Sequence, residues 1–528
     1  VTGTAKLIRL ILRRDRIVLP LWILLFGLLG VGTYASFEGL FPTDAERIQF
    51  ASVSTDNAGL VALYGLLQGD SLAVLTSWRV GFVPMVIGLA ALLTVIRHTR
   101  ADEEAGRTEL LGATVVGRHA QLAAALIVTA TASVLIGLLT FVSMAGKTGN
   151  TGGSLAFGAE LTVSGLMFAA VAAITAQLTS SARSARSIAV VVLGVAYALR
   201  VGGDISAIGD GGLTWLSWVS PLGWVTHIFP YGPVNWWPVV MSVLAAAIAT
   251  NVAVELRKVR DLGDGLVASR LGPANAPAGL GHPLGLAWRL HRGLLLGWTA
   301  GFALLGLIFG GVGGSVLDIA ESNQGLTDIF DRLAGGNGAG QLLDSYFAGI
   351  AGTVGLIAAC YGVQATLRLR DEETAGHAEA VLTTSVSRFA WAASHLLFAL
   401  LGPALALFAE GLVSGLVATD GNFGRILGGT MLQLPAVWVL AGLTVLLFGL
   451  LPRLSLVAWA APVICVLVLL VGQTLQASQW LLDISPFTHV PHLTGGTVSA
   501  TPVITLLVVA AALAAAGLFG LRRRNLPD

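Results

Sequence analysis

Few residues in this chain of 528 could do chemistry, and the first to test are those that might hold a nucleotide. Gly146-Lys147-Thr148 ends like a phosphate-binding P-loop, but the glycine needed five residues earlier is Phe141, so the backbone cradle is missing. Lys6 and Lys258 have no glycine-rich approach either, so no nucleotide site is expected here. His489 and His492, with Asp483 nearby, are donor types that zinc accepts, yet Pro491 breaks the helical geometry. A plain loop is expected, and no metal. Acids inside apolar stretches are the remaining candidates, because a charge in hydrocarbon is costly and turns toward a bundle interior or water. Glu410 lies deep in such a stretch, and Glu160, Arg200 and Asp204 lie nearer the ends of theirs. Glu410 and Glu160 are expected to line a substrate path, with a buried, hydrogen-bonded structural acid as the alternative.

A charged decapeptide occurs twice. Arg100-Ala-Asp-Glu-Glu-Ala-Gly-Arg-Thr-Glu109 is followed 270 residues later by Arg370-Asp-Glu-Glu-Thr-Ala-Gly-His-Ala-Glu379. At that offset Arg100, Glu103, Gly106, Glu109 and Arg118 fall on Arg370, Glu373, Gly376, Glu379 and Arg388. Arg13, Arg16 and Trp22 match Arg289, Arg292 and Trp298 upstream, and Trp215, Ser220 and Pro221 match Trp480, Ser485 and Pro486 downstream. Ordered matches with drifting offsets indicate a duplication. Glu103, Glu104 and Arg107 stand at spacings of three and four, which predicts one short surface helix held by ion pairs. Opposite Glu410 the first copy has Thr140, so the path would be asymmetric and suited to a cationic or amphipathic substrate.

The elements that carry these residues must be membrane helices. Hydrophobic residues make up 55% and charged residues 11%, less than half the roughly 25% usual in soluble domains. A net charge of +1 argues against a nucleic-acid partner. Cys360 and Cys465 lie in apolar runs and read as small core residues. About 20 apolar residues span a bilayer, and twelve segments qualify: 17–36, 79–97, 119–143, 155–178, 187–203, 237–256, 293–314, 346–367, 390–417, 425–451, 455–473 and 501–521. This predicts an all-α polytopic membrane protein of two pseudo-symmetric six-helix halves, 1–256 and 289–528. They are joined by a proline- and glycine-rich linker at 257–288.

Of the 30 Lys and Arg, only Arg47, Arg79, Lys147, Arg200, Arg332 and Arg425 fall outside if the N-terminus is cytoplasmic. Both termini and the duplicated loops are therefore expected in the cytoplasm. Lys6, Arg9, Arg13, Arg14 and Arg16 alternate with Leu7, Leu10, Ile11 and Ile17, predicting a retained amphipathic helix at the cytoplasmic face. Val1 and the richness in Ala and Gly fit a GTG start in a GC-rich bacterium, hence a bacterial plasma membrane.

This succession of basic amphipathic helix, two spans, Glu-Glu-x-Gly-Arg loop, four further spans and Trp-rich Ser-Pro-Leu-Gly-Trp segment resembles bacterial ABC-2-type permeases. The resemblance is strongest to the fused twelve-span group of polyketide antibiotic and multidrug exporters. It implies that Asp102, Glu103, Glu104, Gly106, Arg107 and Glu109, with Asp371, Glu372, Glu373, Gly376, His377 and Glu379, form two coupling helices. These would dock two copies of a cytoplasmic ATPase, which brings ATP and Mg; this chain would carry no cofactor and no catalytic residue. It also implies an outer cap that includes Trp215, Pro221, Trp224, Trp480 and Pro486, and a hydrophobic small-molecule substrate. The second loop departs from the pattern at His377 and Asp371. The rival reading is a proton-driven carrier using Glu410. A membrane enzyme would need clustered catalytic polar residues, which the sequence does not offer.

Overall fold

The computed structural model describes residues 2–112, 115–209, 211–261, 263–267, 275–322, 338–418, 423–471, 482–491 and 500–524. The protein is an all-α polytopic membrane protein whose chain divides into two compact units, Val1–Gly272 and Pro273–Asp528. Eleven helices among the described residues are long and apolar enough to cross a bilayer.

In the first unit α1 (Thr4–Arg14) is amphipathic as expected. It buries Leu7 and Ile11 against Ala120, Ala124 and Val128 and leaves its arginines outward. α2 (Val18–Leu40) is apolar all round, the pattern of a helix solvated by lipid. The segment after it, taken from sequence as a loop, holds three helices, α3 (Asp44–Thr55), α4 (Ala58–Tyr64) and α5 (Leu72–Arg79). Thr43, Asn57 and Ser71 each accept a backbone N–H at their starts, and Phe37, Phe41, Phe50, Tyr64 and Trp78 form their aromatic core. Polar capping residues and scattered aromatics look like a loop until the rings are seen to share one core.

α6 (Val83–His98) leads into α7 (Arg100–Glu104) and α8 (Arg107–Gly112), which carry the first charged loop. α9 (Ala120–Thr148), α10 (Thr151–Leu178) and α11 (Ala182–Ile208) follow, then the short α12 (Trp215–Val219) and α13 (Pro221–Thr226), and α14 (Trp237–Val259). α10 is the central helix, packed against α6, α9 and α14. It crosses α9 at Gly137 and Gly158, where a Cβ on either would run into the other's carbonyl oxygen. Close approach through small residues is how helices gain packing energy in lipid.

The second unit contains α15 (Pro283–Ser322), α16 (Gly338–Thr374), α17 (His377–Leu382), α18 (Arg388–Val417), α19 (Phe423–Met431), α20 (Leu434–Leu450), α21 (Ala460–Val471) and α22 (Ala500–Arg523). Its tightest pairs are α15 with α18 and α20 with α22. The span expected at 455–473 is altered. Its first residues belong to a 3-10 stretch, Pro452–Trp459, and the helix begins at Ala460 and continues to Val471; residues 472–481 lie outside the described part.

Candidate functional site

The two charged loops share a bend and a central ion-pair knot. α7 stops because Gly106 adopts φ +70, a left-handed conformation that spares glycine the Cβ penalty, and Gly376 does the same at φ +74 after Thr374. Each loop is thus two helical pieces meeting at a glycine, not the single short helix expected. The ion pairing differs from expectation too, since Arg107 pairs with Asp102 at 2.8 Å and not with Glu103 or Glu104.

In the first unit Asp102 also receives Arg14 from α1 at 2.8 Å. Glu103 pairs with Arg100 at 3.0 Å and Arg260 at 2.8 Å, and accepts the Gly263 N–H at 2.8 Å. Arg118 donates to the Arg260 carbonyl at 2.9 Å, closing the knot. Glu104 accepts the Ala182 N–H at 2.9 Å, satisfying an orphan donor at the start of α11.

In the second unit Glu372 pairs with Arg368 at 2.7 Å and with His377 at 3.3 Å, so His377 does the work of Arg107. Glu373 pairs with Arg524, whose carbonyl accepts from Arg388 at 2.6 Å. Glu103–Arg260–Arg118 therefore recurs as Glu373–Arg524–Arg388. Only 5% of the Glu103 and 6% of the Glu373 side chain is exposed. The most similar acids of the two loops face inward as fasteners.

The outward side of each loop is left to others. Arg107 and His377 show 57% and 69% of their side chains, and Glu109, Asp371 and Glu379 are exposed. Sequence reasoning missed Arg260 and Arg524. Both are basic residues just past the last span of a half, related by an offset of 264, and extending the repeat to the span ends would have found them.

At the far end of the first unit Glu160 and Arg200 part ways. Arg200 is fully buried; it donates to the carbonyls of Val61 and Ala62 at the end of α4 and pairs with Asp204 at 3.5 Å. Asp204 accepts the Ser217 hydroxyl at 2.7 Å, which fastens α12 to α11. These charges are structural. Glu160 is equally buried, but its Oε2 has no hydrogen-bond partner. It lines a cavity of about 30 Å³ with Tyr64, Trp78, Phe229 and Pro230, enough for one or two waters. The turn that closes this cavity holds Phe229 at φ +49 and Tyr231 at φ +63, a conformation uncommon for residues with a Cβ. In the second unit Glu410 is buried, contacts Thr430 and also keeps an unpartnered Oε2. Thr140, its counterpart, donates to the Gly27 carbonyl at 3.3 Å.

The Ser-Pro pairs start helices in both units. Ser220 accepts the N–H groups of Leu222 and Gly223 with Pro221 at the first helical position, and Ser485 precedes the 3-10 turn Pro486–His489. Trp215 is exposed, and the Trp224 indole donates to the Trp218 carbonyl at 2.6 Å. Trp480 and His492 lie outside the described residues.

A family profile described as "Multidrug efflux system permease Rv1217c, C-terminal domain" matches residues 6–256 and 280–522. The chain belongs to that family. The two matched stretches fall one in each unit, and the gap between them falls in the proline- and glycine-rich segment. "Multidrug efflux system permease protein Rv1217c" of Mycobacterium tuberculosis (strain ATCC 25618 / H37Rv) is 44% identical over 532 residues, covering 99% of this chain and 95% of that relative.

Proposed function

We propose that this chain is the membrane-spanning subunit of an ATP-driven ABC exporter, of the ABC-2 type, that moves hydrophobic or amphipathic small molecules such as antibiotics and drugs. The observation that carries the reading is the twofold loop knot, Glu103–Arg260–Arg118 and Glu373–Arg524–Arg388, which ties a charged helical pair to the end of the last span in each unit. A doubled, tied-down loop with an exposed charged side suits a pair of identical partners; a carrier without a partner has no need of one. Two copies of a cytoplasmic ATPase would seat there and supply ATP and Mg. Residues 1–256 and 289–528 would act as pseudo-symmetric six-span halves around one path, joined through 257–288, with both termini in the cytoplasm of a bacterium. The name of the M. tuberculosis relative supports the drug-export part.

The outward residues make the cleanest probe. Glu109→Lys and Glu379→Lys leave the internal knots intact, and in combination they should abolish drug-stimulated ATP hydrolysis or release the ATPase on purification. Wild-type values in both assays would refute the docking role.

One observation favours the rival. The unpartnered, buried Oε2 of Glu410 is the kind of group a proton-driven carrier needs. Glu410→Gln keeps the shape and removes the charge, so an ATP-driven exporter should change its substrate preference and keep transporting. Loss of transport of every substrate with ATP hydrolysis intact would transfer the assignment to the carrier.

A further inference from the structure

The second unit contains an apolar void of about 230 Å³ among α16, α18, α20 and α22, walled by Thr366, Leu400, Trp438, Gly442, Ala511 and Ala514. It lies at mid-depth, since its wall residues come from the middle turns of α20 and α22. Two features border it. Pro403 lies inside α18 and lacks the N–H that would engage the Ala399 carbonyl, next to Leu400 in the wall. On the other side α20 and α22 stay in backbone contact, with the Ala510 carbonyl against Gly442 as Gly517 is against Gly449, so the void lies beside a closed seam and is walled there by small residues.

The chemistry of the walls decides what fits. Thr366 donates to the Gly362 carbonyl at 2.8 Å and the Trp438 indole to the Leu400 carbonyl at 3.1 Å, so both side-chain donors in the wall are committed. The rest of the wall is almost wholly apolar, a poor match for water, which needs two to four polar partners. A drug-sized ligand calls for about 300–1,000 Å³ and a few polar groups to orient it, and the void offers neither. Left empty, its walls would forfeit dispersion contacts outright. Leu400 and Leu507, also in the wall, are 42% and 37% exposed, so the void opens on a surface that the bilayer solvates.

We propose that this void is a binding site for the acyl chain of a membrane lipid, inserted between α18, α20 and α22 beside Trp438. The site belongs to the second unit alone and stands whether or not the exporter reading does.

Trp438 supplies the readout. The full chain is placed in phosphatidylcholine bilayers whose acyl chains carry bromine at mid-chain, and the Trp438 contribution is taken as the difference from Trp438→Phe. Bromine should quench that contribution strongly, and filling the void with Ala514→Leu, or blocking its mouth with Ala511→Leu, should remove most of the quenching. The far-ultraviolet spectrum and detergent elution of each variant establish that it is folded. Equal quenching in the parent and in either folded variant would mean contact with bulk lipid only and would overturn the site.

Discussion

Glu103 and Glu109 are six residues apart in one loop and differ in what they hold. Glu103 is nearly enclosed between Arg100 and Arg260, whereas Glu109 faces outward. Removing one partner of a buried ion pair costs about 3–5 kcal/mol, and an exposed substitution stays within about 0.5 kcal/mol. Glu103→Lys should therefore lower the unfolding temperature of the detergent-purified protein, and Arg524→Ala should do so in the second unit, while Glu109→Lys leaves it unchanged. Equal melting of all three would mean that the knots hold nothing. Charge reversal at Glu103 is consequently a probe of folding and not of docking. The duplicated glutamates and glycines were legible in the sequence because two copies of one pattern expose it. Which way each carboxylate turns was not, because the partners Arg260 and Gly263 stand some 160 residues away.

At the scale of elements, apolar length located eleven of the twelve expected spans, and small residues explain how they pack. α9 and α10 touch at Gly137 and Gly158, where neither backbone leaves room for a side chain. Gly137→Val should abolish recovery of folded protein from the membrane, while Gly146→Ala in the same helix, with open space around it, should not; equal yields would count against the crossing. The conformation of Gly106 sets a second, milder test. An L-residue forced into the left-handed region costs about 1–2 kcal/mol, with asparagine the best substitute, so Gly106→Val should weaken coupling of transport to ATP hydrolysis more than Gly106→Asn. Identical coupling ratios would mean that the bend does not set the loop. α3 to α5 escaped the sequence reading because short capped helices carry no 20-residue apolar signal and their aromatic core is assembled from five separate places. The expected span at 455–473 differs at its start, where Pro452–Trp459 takes 3-10 geometry before the helix begins at Ala460, and a run of apolar residues gives no sign of that change.

At the scale of the whole molecule, two units each end a charged loop in the same knot, and the family profile matches one stretch in each. What remains to be tested is the energy source. Placed alone in lipid vesicles, the chain should transport no drug when a proton gradient is imposed. Adding the proposed partner ATPase with ATP and Mg should start transport, at two ATPase copies per chain. The decisive measurement is drug flux in those vesicles under the two conditions, side by side. Flux that needs the second chain and ATP is the predicted result; flux driven by the proton gradient through the chain alone would contradict the account.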